Sequence, residues 1–286
     1  MRYNQDTQMT SSSTAASTTL TRSPTAPSTA RQGRLAIFPS LQGQRVFITG
    51  GGTGIGAAIT QAFAEQGAQV AFVDTAVEES QALVRSITTA GCLEPWYAPC
   101  DVRDVAALQA AMAQAAAALG DFATLVNNVA RDDRHALASV TAEYYDERMA
   151  VNQRPAFFAI QSVVPGMQRL GGGSIINLGS TGWQSKGSGF PCYAIAKSSV
   201  NGLTRGLADD LGADRIRINT VSPGWVMTER QIKLWLNEEG EQSIKRNQCL
   251  PDKMKPQDIA RMVLFLASDD AAMCTAQEFK VDAGWN

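Results

Sequence analysis

Apolar segments alternate with helix-forming segments along most of the chain, beginning at Leu41. Short runs rich in β-branched and aromatic residues predict buried strands, as in Arg45–Thr49 (RVFIT) and Gln69–Asp74 (QVAFVD). Further strands are predicted to end at Cys100 and to cover 124–129, 174–178, 215–221 and 278–281. Helical patterns lie between them, ending at Gln66 and then covering 77–90, 105–119, 142–170, 191–211, 229–246 and 256–267.

Strands that alternate with helices of this length indicate a parallel sheet covered by helices on both faces. We therefore predict a single α/β domain of the doubly wound, Rossmann type over residues 34–286. Such sheets bind ligands at the carboxyl ends of their strands. The candidate functional residues of this chain fall at such ends or on the helices that follow them.

The first 33 residues differ in composition from the rest of the chain, since they are rich in Ser, Thr, Ala and Pro. A segment with so few large apolar residues cannot bury enough surface to offset its loss of conformational entropy. We predict that residues 1–33 form a disordered tail.

Composition and charge exclude several classes of function. The net charge is -2, so nothing attracts a phosphate backbone and no nucleic-acid partner is expected. No apolar run reaches the roughly 18 residues of a membrane span, so no membrane partner is expected. The 5 cysteines are scattered and form no C-x-x-C pair, which favours a reducing compartment such as the cytoplasm.

His135 is the single histidine of the chain. A zinc site with two histidines is therefore impossible, and no metal site is predicted. If the protein is an enzyme, its proton transfer is expected to use a different kind of group.

The segment 49–56 reads TGGGTGIG and lies between the first predicted strand and the first predicted helix. Glycines in this context allow a tight turn and a close approach of the backbone to a pyrophosphate, which the helix N-terminus then binds. The candidate residues for this contact are Gly50, Thr53, Gly54, Ile55 and Gly56.

Asp74 ends the second predicted strand, where a carboxylate accepts hydrogen bonds from the ribose hydroxyls of NAD and repels the 2′-phosphate of NADP. No Lys or Arg follows it directly, so NAD is the expected cofactor. Asp101 and Val102 follow the third strand and are candidates for contact with adenine, although Asp101 is also a candidate N-cap of the next helix.

Tyr193 and Lys197 are four positions apart on a predicted helix and therefore share one face. An ammonium group about 4 Å from a phenol, at an effective dielectric constant of about 20, favours the phenolate by roughly 4 kcal/mol. That energy corresponds to a pKa lowered by about 3 from the usual value near ~10. We predict that Tyr193 is a general acid/base and that Lys197 lowers its pKa.

Two polar residues complete the candidate catalytic set. Ser180 follows the strand predicted at 174–178, and its hydroxyl is a candidate to bind a substrate oxygen. Asn152 lies inside the helix predicted over 142–170, where asparagine has no propensity advantage, so a functional position is predicted.

Together these motifs resemble the ordered signature of the short-chain dehydrogenase/reductase family from about Leu41 to the C-terminus. The resemblance implies that Tyr193 is the acid/base, that Ser180 orients the substrate oxygen, and that Lys197 binds the nicotinamide ribose. It implies that Asn152 holds a water in a proton relay. It also implies cofactor contacts at Asn128, Pro223, Gly224, Val226 and Thr228.

The chain departs from the family pattern at Asn127-Asn128-Val129-Ala130, where the family usually has Asn-Asn-Ala-Gly. We expect Val129 and Ala130 to shift the backbone beside the cofactor.

Finer segments resemble the bacterial NAD-dependent aldose 1-dehydrogenases, among them residues 132–135 (DDRH) and the C-terminal DAGWN. The resemblance implies oxidation of L-arabinose, D-galactose or D-xylose at C1 to the aldono-lactone. It also implies a homotetramer or homodimer formed through the long helices.

Sugars require several hydrogen-bond partners and often an apolar ring surface. The candidate sugar-binding residues are Trp183, Gln184, Phe190, Trp225, His135 and Arg154. A structural contact is an equal interpretation of His135. The segment 229–246 is a candidate lid, and its Trp235 is equally a candidate interface residue.

Two other functions remain open at the level of the sequence. The first is an NAD(P)-dependent reductase of a ketone or a 3-oxoacyl substrate, which Asp74 disfavours. The second is an NAD-binding sensor without catalysis, which the presence of Ser180, Tyr193 and Lys197 disfavours.

Overall fold

A computed structural model describes residues 36–285. The tail predicted at 1–33 lies outside the described residues. Seven parallel strands form one sheet in the order β3-β2-β1-β4-β5-β6-β7. They are β1 (Arg45–Thr49), β2 (Gln69–Asp74), β3 (Trp96–Pro99), β4 (Thr124–Asn127), β5 (Gly173–Leu178), β6 (Ile216–Pro223) and β7 (Glu278–Val281).

The helices named here are α1 (Gly54–Glu65), α2 (Val77–Thr89), α3 (Val105–Leu119), α4 (Ala142–Asn152), α5 (Arg154–Leu170), α6 (Pro191–Gly212), α7 (Glu229–Trp235), α8 (Glu238–Asn247) and α9 (Pro256–Ala267). None of the described helices is both long and apolar enough to cross a bilayer.

The central strands are apolar on both faces because helices cover both sides of the sheet. In β1, Val46 and Ile48 pack in a core with α1 and α9, whereas Phe47 packs in a second core with α3 and α5. This alternation follows from the two-residue period of a strand. The predicted doubly wound α/β fold is confirmed.

The strand order positions the ligand site. From β1 the chain builds outwards through β2 to β3, and then returns to place β4 on the other side of β1. The crevice beyond the carboxyl ends of β1 and β4 is the topological switch point, where open α/β sheets bind ligands.

The long helix predicted over 142–170 is wrong, because the structure has two helices that meet at Gln153 (φ -128°, ψ -58°). Pro155 explains the break, since in a continuous helix it would have no N–H for the Val151 carbonyl oxygen and its ring would clash with that carbonyl. Asn152 is therefore the last residue of α4 and not a mid-helix residue.

The helix predicted over 229–246 is also divided in two. Leu236 and Asn237 are extended, and the Asn237 side chain accepts a hydrogen bond from Gly240 N to begin α8. Asparagine is among the strongest N-cap residues, so it starts a new helix here.

Candidate active site

The turn between β1 and α1 is a backbone cradle that requires glycine. Gly50 and Gly54 have φ angles of +67° and +54°, which other residues rarely adopt. A Cβ atom on Gly56 would lie 1.8 Å from the Gly50 carbonyl oxygen. The Thr53 side chain caps none of the N–H groups in the first turn of α1, which includes Ile55. These N–H groups and the positive helix end suit a pyrophosphate, so the cradle fits a dinucleotide.

Asp74 lies at the end of β2 and forms hydrogen bonds with the backbone beside this glycine turn. Its Oδ2 accepts a hydrogen bond from Gly52 N at 2.9 Å, and its Oδ1 accepts one from Ala76 N at 3.0 Å. A carboxylate has about four acceptor positions, so Asp74 retains lone pairs for ribose hydroxyls.

Asn128 holds the glycine turn against β4. Its Nδ2 donates to the Gly50 carbonyl oxygen at 2.8 Å and to the Thr49 carbonyl oxygen at 3.3 Å. The Val129 side chain packs on the same turn, since its Cγ2 would lie 2.9 Å from a Cβ atom on Gly50. Val129, one of the two residues that depart from the family pattern, thus lies against the glycine turn.

Asp101 lies beyond β3 and is paired with the Arg103 guanidinium. Hydrogen bonds from the Arg103 side chain lower the pKa of the Asp101 carboxyl below its usual value. The interpretation of Asp101 as the N-cap of α3 is wrong, because Asp104 accepts the capping bond from Ala107 N. Val102 is buried.

Ser180, Tyr193 and Lys197 converge at the carboxyl end of β5. Ser180 follows that strand, and its hydroxyl lowers the pKa of the Tyr193 phenol. The Lys197 Nζ lies 5.9 Å from the centre of the Tyr193 ring and donates to the Leu178 carbonyl oxygen at 2.6 Å. The ammonium group is buried, with 2% of the residue exposed.

The prediction that the pKa of Tyr193 lies below its usual value is wrong for this arrangement. Burial raises the pKa of Tyr193 to about 12, and the Asp132 charge also raises it, while the Ser180 hydrogen bond and Arg134 lower it. Burial also lowers the pKa of Lys197 to about 8. Desolvation is the largest cause of both shifts, and the spacing of the two residues could not reveal it.

Asn152 ends α4 with both amide atoms engaged. Its Oδ1 accepts from Arg131 N at 2.7 Å, and its Nδ2 donates to the Arg148 carbonyl oxygen at 3.0 Å. It thereby ties the loop after β4 to α4. The amide keeps a second lone pair and a second N–H for a water molecule.

The loop after β6 reaches over the glycine cradle. Pro223 ends β6, and a Cβ atom on Gly224 would lie 2.8 Å from Asp282 Cα, so glycine is required there. Val226 is buried and pairs with Met254 in an isolated bridge. The Thr228 Cγ2 would lie 3.3 Å from a Cβ atom on Gly54, so the two ends of the predicted cofactor site face each other.

The candidate sugar-binding residues separate into groups. The Phe190 ring lies edge-on to Tyr193 at 6.0 Å between ring centres, and Trp225 Nε1 donates to Gln231 Oε1 at 3.0 Å. The Trp183 Nε1 is buried without a partner among the described residues. Gln184 Nε2 donates to both carboxylate oxygens of Glu278 on β7, at 2.9 and 3.1 Å.

His135 and Arg154 form hydrogen bonds with groups of the protein itself. The Nδ1 of His135 lies 2.8 Å from the Asp133 carbonyl oxygen, and its Nε2 accepts from Cys192 N at 3.2 Å. Both ring nitrogens are therefore used by the protein, so His135 makes the structural contact that was one of its two interpretations. Arg154 Nη2 donates to the Arg103 carbonyl oxygen at 2.7 Å, so Arg154 belongs to the loop after β3 and not to the Tyr193 cluster.

Sequence reasoning missed a set of contacts that fastens α7 over this cluster. Gln231 Nε2 donates to Asp132 Oδ2 at 2.7 Å. The Arg134 guanidinium carbon lies 4.4 Å from the centre of the Phe190 ring and 5.0 Å from that of Trp235. The sequence shows the charged residues after β4. It cannot show that they contact α7, because that helix lies almost a hundred positions further along the chain.

Within residues 36–285, no group of three or more His, Cys, Asp or Glu side chains is placed to hold a metal ion.

Comparisons with known proteins identify the family of this chain. Residues 50–286 match a family model described as enoyl-(acyl carrier protein) reductase. The chain is 48% identical over 250 residues to D-xylose 1-dehydrogenase of Caulobacter vibrioides, covering 87% of this chain and 98% of that protein. It is 47% identical over 247 residues to a probable galactose dehydrogenase of Rhizobium meliloti, covering 86% and 96%.

A solved structure of 7α-hydroxysteroid dehydrogenase with NADH and 7-oxo glycochenodeoxycholic acid is 30% identical, with a TM-score of 0.82, and covers 86% of this chain and 95% of that one. This solved structure thus shares the fold, and each of these three relatives is matched over almost its whole length. The chain belongs to the short-chain dehydrogenase/reductase family.

Proposed function

We propose that the protein is an NAD-dependent aldose 1-dehydrogenase that converts an aldopyranose, such as L-arabinose, D-galactose or D-xylose, to its aldono-lactone. The observation that carries the proposal is the convergence of Ser180, Tyr193 and buried Lys197 at the carboxyl end of β5, on the sheet edge that also carries the glycine cradle. Similarity to a xylose and a galactose dehydrogenase over nearly their full lengths supports a sugar as the alcohol.

The proposed chemistry uses the residues of this site in the following way. Ser180 and Tyr193 hold the C1 hydroxyl of the sugar between them. Tyr193 removes the hydroxyl proton, and the buried Lys197 ammonium stabilises the negative charge on the phenolate. NAD, when bound, would supply the acceptor for the C1 hydride and a positive ring that favours the phenolate.

Asn152 is proposed to hold a water molecule that relays the proton from Lys197 towards solvent. Support comes from its position at the end of α4, where its amide retains unused donor and acceptor capacity. Asp74 is proposed to select NAD over NADP, because its carboxylate sits at the end of β2 beside the turn that approaches the phosphates.

Apolar side chains left exposed on three neighbouring helices support a homotetramer or homodimer. Tyr145 on α4, Phe157 on α5 and Ile195 on α6 are 38%, 47% and 47% exposed. Apolar surface of this kind marks an interface between subunits. The five free cysteines support a cytoplasmic location, where thiols stay reduced.

The test measures NADH formation with NAD and a panel of L-arabinose, D-xylose, D-galactose, D-glucose and L-fucose. We expect turnover of one or two of these sugars. Tyr193→Phe should lower kcat by about 10²–10⁴-fold, the usual contribution of a general acid/base. NAD binding by calorimetry without oxidation of any sugar would overturn the aldose proposal and leave family membership intact.

A further inference from the structure

The helix that carries Tyr193 begins without a cap from its own segment. Helix α6 starts at Pro191, which has no N–H, and the N-cap residue Phe190 makes no side-chain capping bond. The first backbone donor of the helix is therefore Cys192 N, directly before Tyr193. Unpaired donors at a helix start require a partner from elsewhere when the segment is not solvated.

His135 supplies that partner from the loop after β4. Its Nε2 accepts a hydrogen bond from Cys192 N at 3.2 Å. Its backbone N donates to the Gly189 carbonyl oxygen at 2.8 Å, just before the same helix. Two bonds from one residue thus join the loop to the start of α6, whereas Lys186, Gly187 and Ser188 of the preceding loop are exposed.

These contacts define the tautomer of the imidazole. A nitrogen that accepts from an N–H carries no proton, so Nε2 is the bare nitrogen. The proton then lies on Nδ1, which is 2.8 Å from the Asp133 carbonyl oxygen and 3.1 Å from the Tyr144 hydroxyl. The Tyr144 ring packs edge-on against the imidazole at 5.0 Å between centres, so α4 fixes the plane of the ring.

The loop that carries His135 is itself immobilised by charged contacts. Arg148 of α4, which is 6% exposed, pairs with the Asp133 carboxylate, and Arg230 of α7 pairs with the same group. Both oxygens of Asp133 are thereby used, so the carboxylate is not placed to serve the imidazole. The ring is held by backbone groups and by Tyr144.

We propose that His135 is a positioning residue for Tyr193: its unprotonated Nε2 binds Cys192 N and fixes the first turn of α6. The inference rests on the proposed role of Tyr193 as the acid/base. It concerns the direction of the phenol rather than the identity of the alcohol.

The single histidine makes the tautomer directly measurable. Protein produced with ¹⁵N-histidine and without a histidine tag gives signals from one imidazole only. We expect an unprotonated Nε2 and a protonated Nδ1 at neutral pH, and a slowly exchanging Cys192 amide. A protonated Nε2 in the folded protein would overturn the proposal. This measurement needs no substrate, so it can fail or succeed independently of the aldose proposal.

Two matched variants test the effect on catalysis. His135→Gln places an amide oxygen at about the position of Nε2, whereas His135→Asn reaches only the position of Nδ1. With the alcohol found by the panel, we expect Gln to keep kcat within about threefold of the parent. Asn should lower kcat about tenfold, with a smaller change in KM and faster exchange of the Cys192 amide.

Equal kcat in the Asn and Gln variants would contradict the proposal, because only Gln retains the acceptor. Circular dichroism and urea unfolding verify that both variants fold. If His135→Asn does not fold, the tautomer in the parent protein and kcat of the Gln variant still decide the question.

Discussion

Lys197→Met is expected to make the protein more stable while removing its activity. Lys197 is 2% exposed, and the hydrogen bond to Leu178 O is the one contact that its ammonium makes among the described residues at hydrogen-bond distance. Burial lowers the pKa of Lys197 from 10.5 to about 8, so the charged form of Lys197 destabilises the folded state relative to the unfolded state. Methionine retains a flexible apolar stem of similar length without the charge.

The size of the expected change in stability follows from the shift in the pKa of Lys197. A tenfold loss of affinity is worth about 1.4 kcal/mol, so a pKa of about 8 instead of 10.5 corresponds to about 3 kcal/mol below pH 8. The substitution leaves the Leu178 carbonyl oxygen without its donor, which costs about 1 kcal/mol or more. The net gain is about 2 kcal/mol, or a rise in Tm of about 4–8 °C for a domain of this size.

The pH dependence has a definite sign. Between about pH 8 and 10.5, the unfolded chain keeps the lysine proton that the folded protein has lost. The unfolded state then binds more protons, so the stability of the parent rises with pH across this window. The stability advantage of Lys197→Met is therefore largest below pH 8 and shrinks as the pH approaches 10.5.

The assay is urea unfolding of the parent and the variant at pH 7, 8, 9 and 10, with turnover of the identified sugar measured in parallel. Lys245→Met, on the exposed surface of α8, is the control and is expected to change stability by less than about 0.5 kcal/mol. A Lys197→Met variant that is less stable at pH 7, or whose advantage does not change with pH, would refute the reasoning.

Two further predictions concern the proposed NAD site. Asp74→Asn keeps one acceptor for the glycine turn but removes the charge. Because a hydrogen bond to a charged group is worth about 1.5–3 kcal/mol, the ratio of kcat/KM for NAD over NADP should fall about 10–100-fold. An unchanged ratio would show that Asp74 does not select the cofactor. Gly56→Ala places a Cβ atom 1.8 Å from the Gly50 carbonyl oxygen, so calorimetry should find NAD binding lost. The control Gly202→Ala, at a position with open space on α6, should bind NAD as the parent does. Retained binding in Gly56→Ala would contradict the assignment of the glycine turn as the NAD site.

The sequence identified the architecture because its signals are local. Period-two and period-3.6 patterns depend only on neighbouring residues, and their alternation implied a parallel sheet with helices on both faces. The same is true of the glycine turn, which sits between its strand and helix, and of Asp74 at a strand end. Ser180, Tyr193 and Lys197 were found from motif order and helix spacing.

Local patterns predicted the extent of two helices wrongly, because the backbone of each is interrupted. Pro155 and Asn237 each divided a helix that periodicity extended through, because a missing N–H or a capping side chain outweighs an apolar pattern. The break at Gln153 affects the candidate site, because it places Asn152 at the end of a helix and not in a helix interior.

Only the tertiary structure decided the electrostatics and the packing around the site. The spacing of Tyr193 and Lys197 suggested mutual attraction, but burial dominates both pKa values, and burial depends on segments distant in sequence. In the same way, no local pattern could show that His135 caps α6 or that Asp132 and Arg134 fasten α7. Composition and periodicity determine which residues are buried and where strands end, whereas desolvation and long-range hydrogen bonds exist only once the chain has folded.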